Sequence, residues 1–339
     1  MTQYQRIALA SRPKGVPTAA NFRLETADLP APGPGQLLVR SIWLSLDPYM
    51  RGRMDDVKSY AEPVPIGGTM EGEVVAEVLT SNAEGFASGE IVVGRVGWAS
   101  HGIVKAKEFR KVDPGLAPIS TALGVLGMPG HTAFVGLNDI LQGQGGETIV
   151  VSAATGAVGS VVGQLAKRKG MRTIGVAGGA EKCAYAVENL GYDACLDHHD
   201  PDLAAEMKAL TPQGVDCYYE NVGGKTLESV LPRMNTFGRI AICGMIAWYS
   251  GKGTEEAMRL PAAWRMILTR RLRVQGFIIF DHANRRPDFL AEVGPLVKSG
   301  DIHYRETRAE GLENAPAAFL QLLEGGNFGK QLVRVGPDP

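Results

Sequence analysis

The stretch Ile149-Val150-Val151-Ser152-Ala153-Ala154-Thr155-Gly156-Ala157-Val158-Gly159 decides the fold of this chain. It opens with apolar, β-branched residues, which are typical of a strand covered on both faces. Glycines follow, and the residues after them have the apolar spacing of an amphipathic helix. The apolar face of that helix is formed by Val158, Val161, Val162, Leu165 and Ala166. Gly170 comes next, and we expect it to take the left-handed conformation that ends many helices.

The turn between this strand and helix has the properties of an anion-binding site. The first N–H groups of a helix have no partner within it and lie at the positive end of its dipole, which favours a pyrophosphate. The pattern departs from G-x-G-x-x-G, because Ala154 occupies the first glycine position while Gly156 and Gly159 occupy the other two. A glycine-rich turn without a ligand is the alternative interpretation.

The length, composition and net charge of the chain indicate a two-domain globular protein without a preference for nucleic acid or membrane. The 339 residues suffice for two domains, and 45% hydrophobic and 21% charged residues are ordinary for a globular protein. A net charge of -1 favours neither nucleic acid nor a membrane surface. The uncharged run 148–166 has the length of a membrane span, but its glycine turn identifies it as the strand and helix above.

The cysteines and the first residues favour the cytoplasm. The four cysteines include no C-x-x-C pair, which disfavours disulfides and favours a reducing compartment. The N-terminal residues lack the apolar core of a signal peptide. We therefore expect a cytoplasmic protein that binds no membrane.

Residues 1–120 are predicted to be β-rich, because short apolar runs alternate with Pro- and Gly-rich segments. Strands are expected at 6–9, 22–26, 36–46, 71–79, 90–98 and 102–106. Short strands at this spacing indicate a compact barrel or sandwich.

After about residue 119, strands alternate with amphipathic helices, which is the pattern of a parallel, doubly wound sheet. Strands are expected at 149–152, 173–177, 215–220, 239–244 and 274–280. Helices are expected at 159–169, 181–190, 202–210, 225–234, 261–268 and 286–299. A last helix (312–323) and strand (331–335) fall outside this alternation, and we expect them to return to the first domain.

The residues after the second strand of this half bear on the choice of nucleotide. NAD-binding folds place Asp or Glu there, where it accepts a hydrogen bond from the ribose 2′-hydroxyl. Here Gly178-Gly179-Ala180 stands in that place, so no carboxylate would repel a 2′-phosphate. Lys182 follows and is predicted to pair with that phosphate, a solvated lysine being the alternative. The pattern favours NADP(H) over NAD(H).

Six separated motifs occur in order along the chain. They are Asp47-Pro48-Tyr49-Met50-Arg51, Met128-Pro129-Gly130-His131-Thr132-Ala133, the turn 154–159, Glu220-Asn221-Val222-Gly223-Gly224, Cys243-Gly244-Met245-Ile246 and Gly326-Asn327-Phe328-Gly329-Lys330. Through them nearly the whole chain resembles the zinc-independent medium-chain dehydrogenase/reductases that reduce alkenal and enone double bonds. That group includes prostaglandin/leukotriene reductases, plant alkenal reductases and bacterial NADPH-dependent curcumin reductases. Segments 181–183 and 195–199 look most like the bacterial members.

The resemblance implies an α/β fold with two domains. A GroES-like, β-rich catalytic domain would comprise residues 1–120, completed by 303–339, and a Rossmann NADP-binding domain would comprise 121–302. The resemblance also implies NADP(H) as cofactor, a small α,β-unsaturated carbonyl substrate, and a homodimer joined by edge strands near 276–280. The apolar run Phe277-Ile278-Ile279-Phe280 fits such an edge, and an ordinary core strand is the alternative.

The resemblance further implies which residues hold the cofactor. The turn would hold the pyrophosphate, Lys182 the 2′-phosphate, and the segments after the later strands the nicotinamide, with Asn327 reaching in from the returning segment. The full set is Ala154, Thr155, Gly156, Ala157, Val158, Gly159, Gly178, Lys182, His198, Asn221, Cys243, Gly244, Tyr249, Phe277, Ile278, Ile279 and Asn327. His198 stands one residue away from a tyrosine of related reductases, and a surface histidine is the alternative.

A zinc alcohol dehydrogenase is disfavoured by the sequence itself. Such enzymes need a catalytic Cys, a His and a further Cys or His, and four closely spaced structural cysteines. The first 120 residues contain no cysteine, and Met70-Glu71-Gly72 replaces the usual Gly-His-Glu. We expect no metal. Conjugate reduction suits such a site, because the developing charge spreads over an enolate.

The expected reaction is hydride transfer from NADPH to the β-carbon of an enone or enal. The carbonyl oxygen then needs a hydrogen-bond donor. Tyr249 is the first candidate and Tyr49 the second, and either phenol could instead only pack. Protonation of the α-carbon would follow, from Tyr249 or from water. The alternatives are an NADPH quinone reductase of the same superfamily and a non-catalytic NADPH-binding protein.

Other residues have two interpretations each. His131 is expected to be a buried structural histidine, although a position near the cofactor is open. Trp248, Trp264 and Met266 would either shape an apolar substrate pocket or belong to the core. The segment 245–260 is predicted to move, because it contains Gly251 and Gly253.

Overall fold

The computed structural model describes residues 2–251, 254 and 257–338. Gly253, one of the two glycines on which the predicted loop motion rests, lies outside the described residues. The chain divides into two compact units, one running to Gly124 and resuming at Glu306, the other comprising Val125–Arg305.

The first unit is built mainly from strands. Its N-terminal part contains β1 (Thr2–Leu9), β2 (Phe22–Leu29), β3 (Gln36–Ser45), β4 (Glu73–Ser81), β5 (Ile91–Arg95), β6 (His101–Lys105) and β7 (Arg110–Lys111). Strands β1 and β2 form an antiparallel pair, and β3, β4, β5 and β7 are consecutive neighbours in a larger sheet in which β6 also pairs with β3. A 3₁₀ helix, Pro48–Met54, follows β3.

The second unit alternates strands and helices. Its elements are α1 (Met128–Val135), β8 (Thr148–Ser152), α2 (Gly159–Arg168), β9 (Arg172–Ala177), α3 (Ala180–Glu188), β10 (Ala194–Asp197), α4 (Leu203–Leu210), β11 (Val215–Glu220), α5 (Gly224–Val230), β12 (Met234–Ile242), α6 (Leu260–Arg270), β13 (Arg273–Gly276) and α7 (Arg286–Ser299). The six strands form one parallel sheet in the order β10-β9-β8-β11-β12-β13. This is the 3-2-1-4-5-6 order of dinucleotide-binding folds, so the predicted doubly wound sheet is confirmed.

The end of the chain adds to the first unit. It comprises β14 (Glu306–Glu310), α8 (Ala315–Leu323) and β15 (Lys330–Arg334). β15 lies between β14 and β3, parallel to the former and antiparallel to the latter. Phe319 of α8 makes an edge contact with Trp98, on which Phe22 stacks, so the returning helix completes the core of this unit.

The central helix α2 has the predicted amphipathic pattern. Val161, Val162, Leu165 and Ala166 are buried, while Val158 is only partly buried. Gly170 follows the helix with φ 78°, the left-handed conformation expected of it. The strand β8 before the helix is buried along its whole length.

Three features of the sheet differ from the sequence prediction. β12 begins at Met234 and α5 ends at Val230, whereas a helix over 225–234 and a strand over 239–244 were expected. The strand expected at 274–280 is wrong beyond Gly276, because β12 ends at Ile242 and a last hydrogen bond from Phe277 N to Ile242 O, 3.4 Å, closes the ladder. A 3₁₀ turn starts at Ile279, and Phe280 is 48% exposed. The structure also contains β10, which the sequence did not predict.

The helices were also compared with the length and apolarity of a membrane-spanning helix. None of the helices built from the described residues has both the length and the apolar character that crossing a bilayer requires.

Candidate cofactor site

The turn after β8 is shaped by close backbone contacts. Ala153 has φ 50°, and its carbonyl accepts a hydrogen bond from Gly156 N at 2.9 Å. A Cβ placed on Gly159 would lie 2.2 Å from that carbonyl oxygen, and one on Gly156 would lie 3.1 Å from it. Helix α2 can start directly over the turn only because Gly159 has no side chain. The positive end of the α2 dipole therefore lies next to the turn, where an anion would be favoured.

The alanine in the first glycine position has a structural explanation. Ala154 is fully buried, and its N–H donates to Val176 O of β9 at 3.0 Å. Its Cβ would be 2.8 Å from any Cβ on Gly175 in that neighbouring strand. The space that Ala154 takes is therefore vacated across the sheet by Gly175, a residue that the sequence analysis did not single out.

The loop after β9 lies against the loop after β10. A Cβ on Gly178 would be 2.8 Å from His198 Nε2, and Gly179 N donates to Asp197 Oδ1 at 2.9 Å. His198 therefore lies against the loop that leads into α3, the helix that carries Lys182. Desolvation lowers the pKa of Lys182 itself, as expected for a lysine partly withdrawn from water.

Asp197 organises this cluster, although the sequence analysis assigned it no role. Its Oδ1 accepts hydrogen bonds from the backbone N–H groups of Gly179 and His199, the latter at 3.0 Å, and lies 3.1 Å from His199 Nδ1. Desolvation opposes ionisation of Asp197, but these hydrogen bonds outweigh it and lower the pKa of the carboxyl. The His198 and His199 rings lie 4.0 Å apart. Desolvation, and then the charge of His199, lower the pKa of His198.

The ends of β8 and β11 are joined through Asn221 and Ser152. Asn221 N donates to Ser152 Oγ at 2.7 Å, and Asn221 Nδ2 donates to Ser152 O at 2.8 Å. Buried Glu220 accepts hydrogen bonds from Ser152 Oγ, from the N–H groups of Val222 and Gly223, and from Tyr218 OH. Burial raises the pKa of Glu220, and its four donors fix the turn that positions Asn221.

The segment after β12 places three predicted residues side by side. Cys243 N and Gly244 N both donate to Glu220 O, at 2.8 and 3.1 Å. Tyr249 folds back so that its hydroxyl oxygen accepts a hydrogen bond from Met245 N at 3.3 Å. A Cβ on Gly244 would lie 3.1 Å from that hydroxyl, so the close approach of Tyr249 depends on the glycine. Burial raises the pKa of the Cys243 thiol to about 12.

The segment after β13 completes this edge of the sheet. Phe277 is buried with its ring at right angles to that of Tyr219, while Ile278 and Ile279 are partly buried. The predicted cofactor residues of this unit therefore follow the carboxyl ends of successive strands of one parallel sheet, Lys182 and Tyr249 after short intervening turns.

The two remaining predicted site residues, Tyr49 and Asn327, belong to the first unit. Tyr49 lies in the 3₁₀ helix after β3, with the Arg53 guanidinium 5.7 Å from its ring centre. Desolvation, followed by the negative charge of Asp47, raises the pKa of Tyr49 well above its usual range, so the phenol stays protonated. Asn327 Nδ2 donates to Gly329 O at 2.7 Å, within the turn that leads to β15.

A buried ion pair anchors the two sequence motifs of the first unit to each other. Lys330 Nζ lies 2.9 Å from Asp47 Oδ1 and donates to Leu46 O at 2.6 Å. Ser45 Oγ donates a further hydrogen bond to Asp47. The pair joins β15 to the segment after β3, directly before the 3₁₀ helix that contains Tyr49.

The open assignments of other residues are resolved individually. His131 is buried and stacks on Phe289, as expected of a structural histidine. Trp248 lies over Gly223, where an added Cβ would be 2.8 Å from its ring. Met266 packs against the core of the second unit, whereas Trp264 is 63% exposed, so the core interpretation of Trp264 is wrong.

Within residues 2–251, 254 and 257–338, no three His, Cys, Asp or Glu side chains are grouped to hold a metal ion.

Comparison with known proteins gives matches along nearly the whole chain. Residues 5–112 match the family described as N-terminal domain of oxidoreductase, and residues 157–294 match the family described as zinc-binding dehydrogenase. The NADPH-dependent curcumin reductase of Escherichia coli (strain K12) is 50% identical over 336 residues, which cover 98% of this chain and 97% of that protein.

Two further comparisons agree with these. The NADP(+)-dependent 2-alkenal reductase of Nicotiana tabacum is 39% identical, with 98% of this chain and 97% of that protein covered. The crystal structure of CurA from Vibrio vulnificus in complex with NADPH superposes with a TM-score of 0.94 at 48% identity, covering 98% of this chain and 100% of that one. The resemblance inferred from the motifs is thus confirmed, and the chain belongs to the zinc-independent medium-chain dehydrogenase/reductases, in the group of alkenal and enone reductases.

Proposed function

We propose that this protein uses NADPH to reduce the carbon–carbon double bond of α,β-unsaturated aldehydes and ketones. One observation carries the proposal: the predicted cofactor residues of the second unit follow the carboxyl ends of its parallel strands. Ligands of doubly wound sheets bind at that edge, next to the point where the strand order reverses. Relatives named as curcumin and 2-alkenal reductases, aligned over nearly the full chain, support the same chemistry.

The chain offers a separate group of donors to each part of NADPH. The 154–159 turn would hold the pyrophosphate at the start of α2, while the N–H groups of Ala154 and Gly156 are engaged by Val176 O and Ala153 O. Lys182 and His198 would hold the 2′-phosphate. Asn221 follows β11. Its side-chain nitrogen donates a hydrogen bond to Ser152 O, which leaves its side-chain oxygen as the acceptor for the cofactor.

The nicotinamide end would be held by residues after the later strands. Cys243 and Gly244 follow β12, and 277–279 follow β13 and would give backbone contacts to the carboxamide. Asn327 would add a contact from the first unit. NADPH, when bound there, supplies a hydride for the β-carbon of the substrate.

Stabilising the enolate oxygen is the task of the chain itself. The Tyr249 hydroxyl oxygen accepts a hydrogen bond from Met245 N, which holds the phenol beside Gly244 at the end of β12, and a phenol is both donor and acceptor. The phenol of Tyr49, kept protonated by its raised pKa, is the second candidate. Such a donor contributes most when it is already aimed at the position of the developing charge. Tyr249 or water then protonates the α-carbon.

We also propose that the protein is a homodimer joined through the β13 edge of the sheet. All four β13 residues are exposed, and in the described part of the chain the outer edge of β13 pairs with no other strand. Leu260, Trp264 and Leu268 form an exposed apolar stripe on the neighbouring helix α6. Because an unpaired strand edge next to an apolar stripe readily joins a second copy, this surface supports the dimer.

Free thiols support a cytoplasmic location, which we propose on that basis. Cys183, Cys195, Cys217 and Cys243 are all unpaired by disulfides. Thiols persist in reducing compartments. Cell fractionation with an antibody would test the location.

The proposed activity is tested by following NADPH oxidation by the purified protein. The panel comprises a 2-alkenal, an aryl enone such as curcumin, a quinone and a saturated ketone, each with NADPH and with NADH. We expect turnover of the alkenal and the enone, saturated carbonyl products, and weak activity with NADH. Mass spectrometry and NMR of the products identify which bond was reduced.

The other outcomes separate the alternatives. Turnover of quinones alone would favour the quinone reductase. NADPH binding without turnover of any compound would favour a non-catalytic binding protein. A Tyr249→Phe variant with unchanged kcat for the enone would contradict the donor role of Tyr249.

A further inference from the structure

A buried carboxyl group lies beside the segments that are proposed to hold the nicotinamide. Glu220 is the last residue of β11 and is buried. Its backbone oxygen accepts hydrogen bonds from Cys243 N and Gly244 N, at 2.8 and 3.1 Å, and Asn221 is the next residue of the chain. The residue that anchors these segments therefore also brings an ionisable group to them.

The side-chain contacts of Glu220 are those of an ionised carboxylate. Oε1 accepts hydrogen bonds from Val222 N at 2.7 Å and Gly223 N at 3.0 Å, and backbone N–H groups can only donate. Ser152 Oγ adds a third hydrogen bond at 2.9 Å, and Tyr218 OH donates to Oε2 at 2.8 Å. Burial raises the pKa of the carboxyl, and these hydrogen bonds act against that rise. Four donors therefore support a negative charge at this place.

No cation in contact with Glu220 compensates this charge. In the part of the chain that the structure describes, Glu220 forms no ion pair, and its side-chain partners are all neutral donors. The neighbouring Cys243 thiol is also neutral, because burial raises its pKa to about 12. Salt and water screen a buried charge much less than an exposed one. The negative potential of Glu220 therefore extends to the residues around it.

We propose that Glu220 shifts the relative affinity of the site from NADPH towards NADP+. The proposal rests on the proposed function for one point, the position of the nicotinamide beside Cys243 and Gly244. The nicotinamide ring is neutral in NADPH and positive in NADP+, whereas the rest of the two molecules is the same. A fixed negative charge near the ring therefore stabilises the oxidised form selectively. No direct contact with the ring is needed, because the interaction acts through space.

This shift has a consequence for the reduction. The C4–H bond of the dihydronicotinamide breaks, its electron pair leaves with the hydrogen for the β-carbon, and the α-carbon takes a proton. The ring becomes positive during this transfer, so the carboxylate stabilises charge that develops in the transition state. A tenfold shift in relative affinity lowers the reduction potential of the bound two-electron couple by about 30 mV. The charge thus makes bound NADPH a stronger hydride donor.

The test measures the Kd of the intact protein for NADPH, by its fluorescence, and for NADP+, by calorimetry. Glu220→Gln removes the charge with little change of shape. Its amide oxygen can accept the three hydrogen bonds at Oε1, and its nitrogen can donate to the Tyr218 oxygen. We expect the ratio of Kd for NADP+ to Kd for NADPH to rise by about tenfold. Thermal unfolding verifies that the variant is folded.

Two control variants separate charge from hydrogen bonding. Asp216→Asn makes the same exchange at the other end of β11, where the carboxylate accepts Thr148 N at 2.9 Å and Asn235 Nδ2 at 2.7 Å. Tyr218→Phe removes one donor to Glu220 and keeps the charge. Neither control should raise the ratio. Tyr218→Phe also tests the proposal without neutralising the buried carboxylate, since a raised ratio in this variant would contradict it.

A purely structural role of Glu220 gives a different result. If the residue only held the turn, Glu220→Gln would change both Kd values by the same factor, and that outcome would overturn the proposal. Enone reduction is measured separately. Binding with the expected change of ratio but no reduction of any enone would refute the proposed function alone. Reduction with an unchanged ratio in Glu220→Gln would refute this inference alone.

Discussion

Gly159 is the residue at which the turn after β8 tolerates least change. In Gly159→Ala the new methyl would lie 2.2 Å from Ala153 O, so the start of α2 must move. We expect the Kd for NADPH to rise by about tenfold or more, because the N–H groups that would hold the pyrophosphate move with it. Fluorescence titration with NADPH measures this.

Gly156→Ala is the matched control for that variant. Its methyl would lie 3.1 Å from the same oxygen, a contact relieved by a shift of a few tenths of an ångström. Its effect should be clearly smaller. Equal effects of the two substitutions would show that the contact at Gly159 does not limit binding.

His198 gives the site a pH dependence. The free imidazole has a lowered pKa and is neutral at pH 7, with His199, Asp197 and Lys182 as its charged or titratable neighbours. A bound phosphate favours the imidazolium and raises that pKa, so affinity for NADPH should increase as pH falls from 8 towards 6. NADH lacks the 2′-phosphate and should not show the change.

The variant His198→Gln isolates this effect. It keeps a hydrogen-bond donor without the titration, so the NADPH affinity should vary less with pH than in the wild type. The phosphate itself titrates near pH 6 and contributes equally in both proteins. Titrations with both cofactors between pH 5.5 and 8 measure the difference, and parallel curves for the two proteins would contradict the role of His198.

For single residues, the sequence predicts those roles that depend only on neighbours along the chain. The glycines of the turn and Lys182 follow from local spacing. Asp197 and Gly175 do not, because their roles arise from the register of β9 against its neighbours, which no single segment encodes. The contacts of all the predicted site residues with a cofactor, including those of Lys182, Tyr49 and Asn327, stay predictions.

Among the elements, β15 depends on the ion pair between Lys330 and Asp47. Both side chains are buried, so Lys330→Met leaves an uncompensated carboxylate beside Ser45. We expect the free energy of unfolding to fall by about 3–5 kcal/mol. Urea unfolding followed by tryptophan fluorescence measures it.

The double variant Asp47→Leu/Lys330→Met tests the reason for that loss. Removing both charges abolishes the buried carboxylate, so most of the stability should return. A double variant as unstable as Lys330→Met would indicate that the packing of the lysine stem, and not charge, stabilises β15.

The strands that were predicted correctly and those that were not differ in their surroundings. β8 is buried throughout and is bounded by a glycine turn, so periodicity identifies it. β10 has four residues of which only Leu196 is buried, which gives too short a pattern. The run 277–280 is apolar enough for a strand, but the length of β12 beside it, a tertiary feature, decides where β13 ends.

For the molecule as a whole, the proposed dimer makes a distinct prediction. In a two-fold dimer the same stripe on α6 meets its own copy, so Trp264→Glu would bring like charges together and remove apolar area. We expect a shift from dimer to monomer in sedimentation analysis. Val187→Glu, on an exposed position of α3, is the control and should stay dimeric. A monomeric wild-type protein would contradict the proposal directly.

The exchange of small residues between Ala154 and Gly175 restricts how this fold can change through evolution. Only one of the two facing positions can carry a methyl, so alanine at both would bring two carbons to 2.8 Å. A lineage that moves the methyl from one strand to the other must therefore pass through glycine at both positions. Geometry therefore fixes the order of the two substitutions. A sequence fingerprint of the 154–159 turn alone is incomplete, because the residue allowed at 154 depends on the residue at 175 in the neighbouring strand.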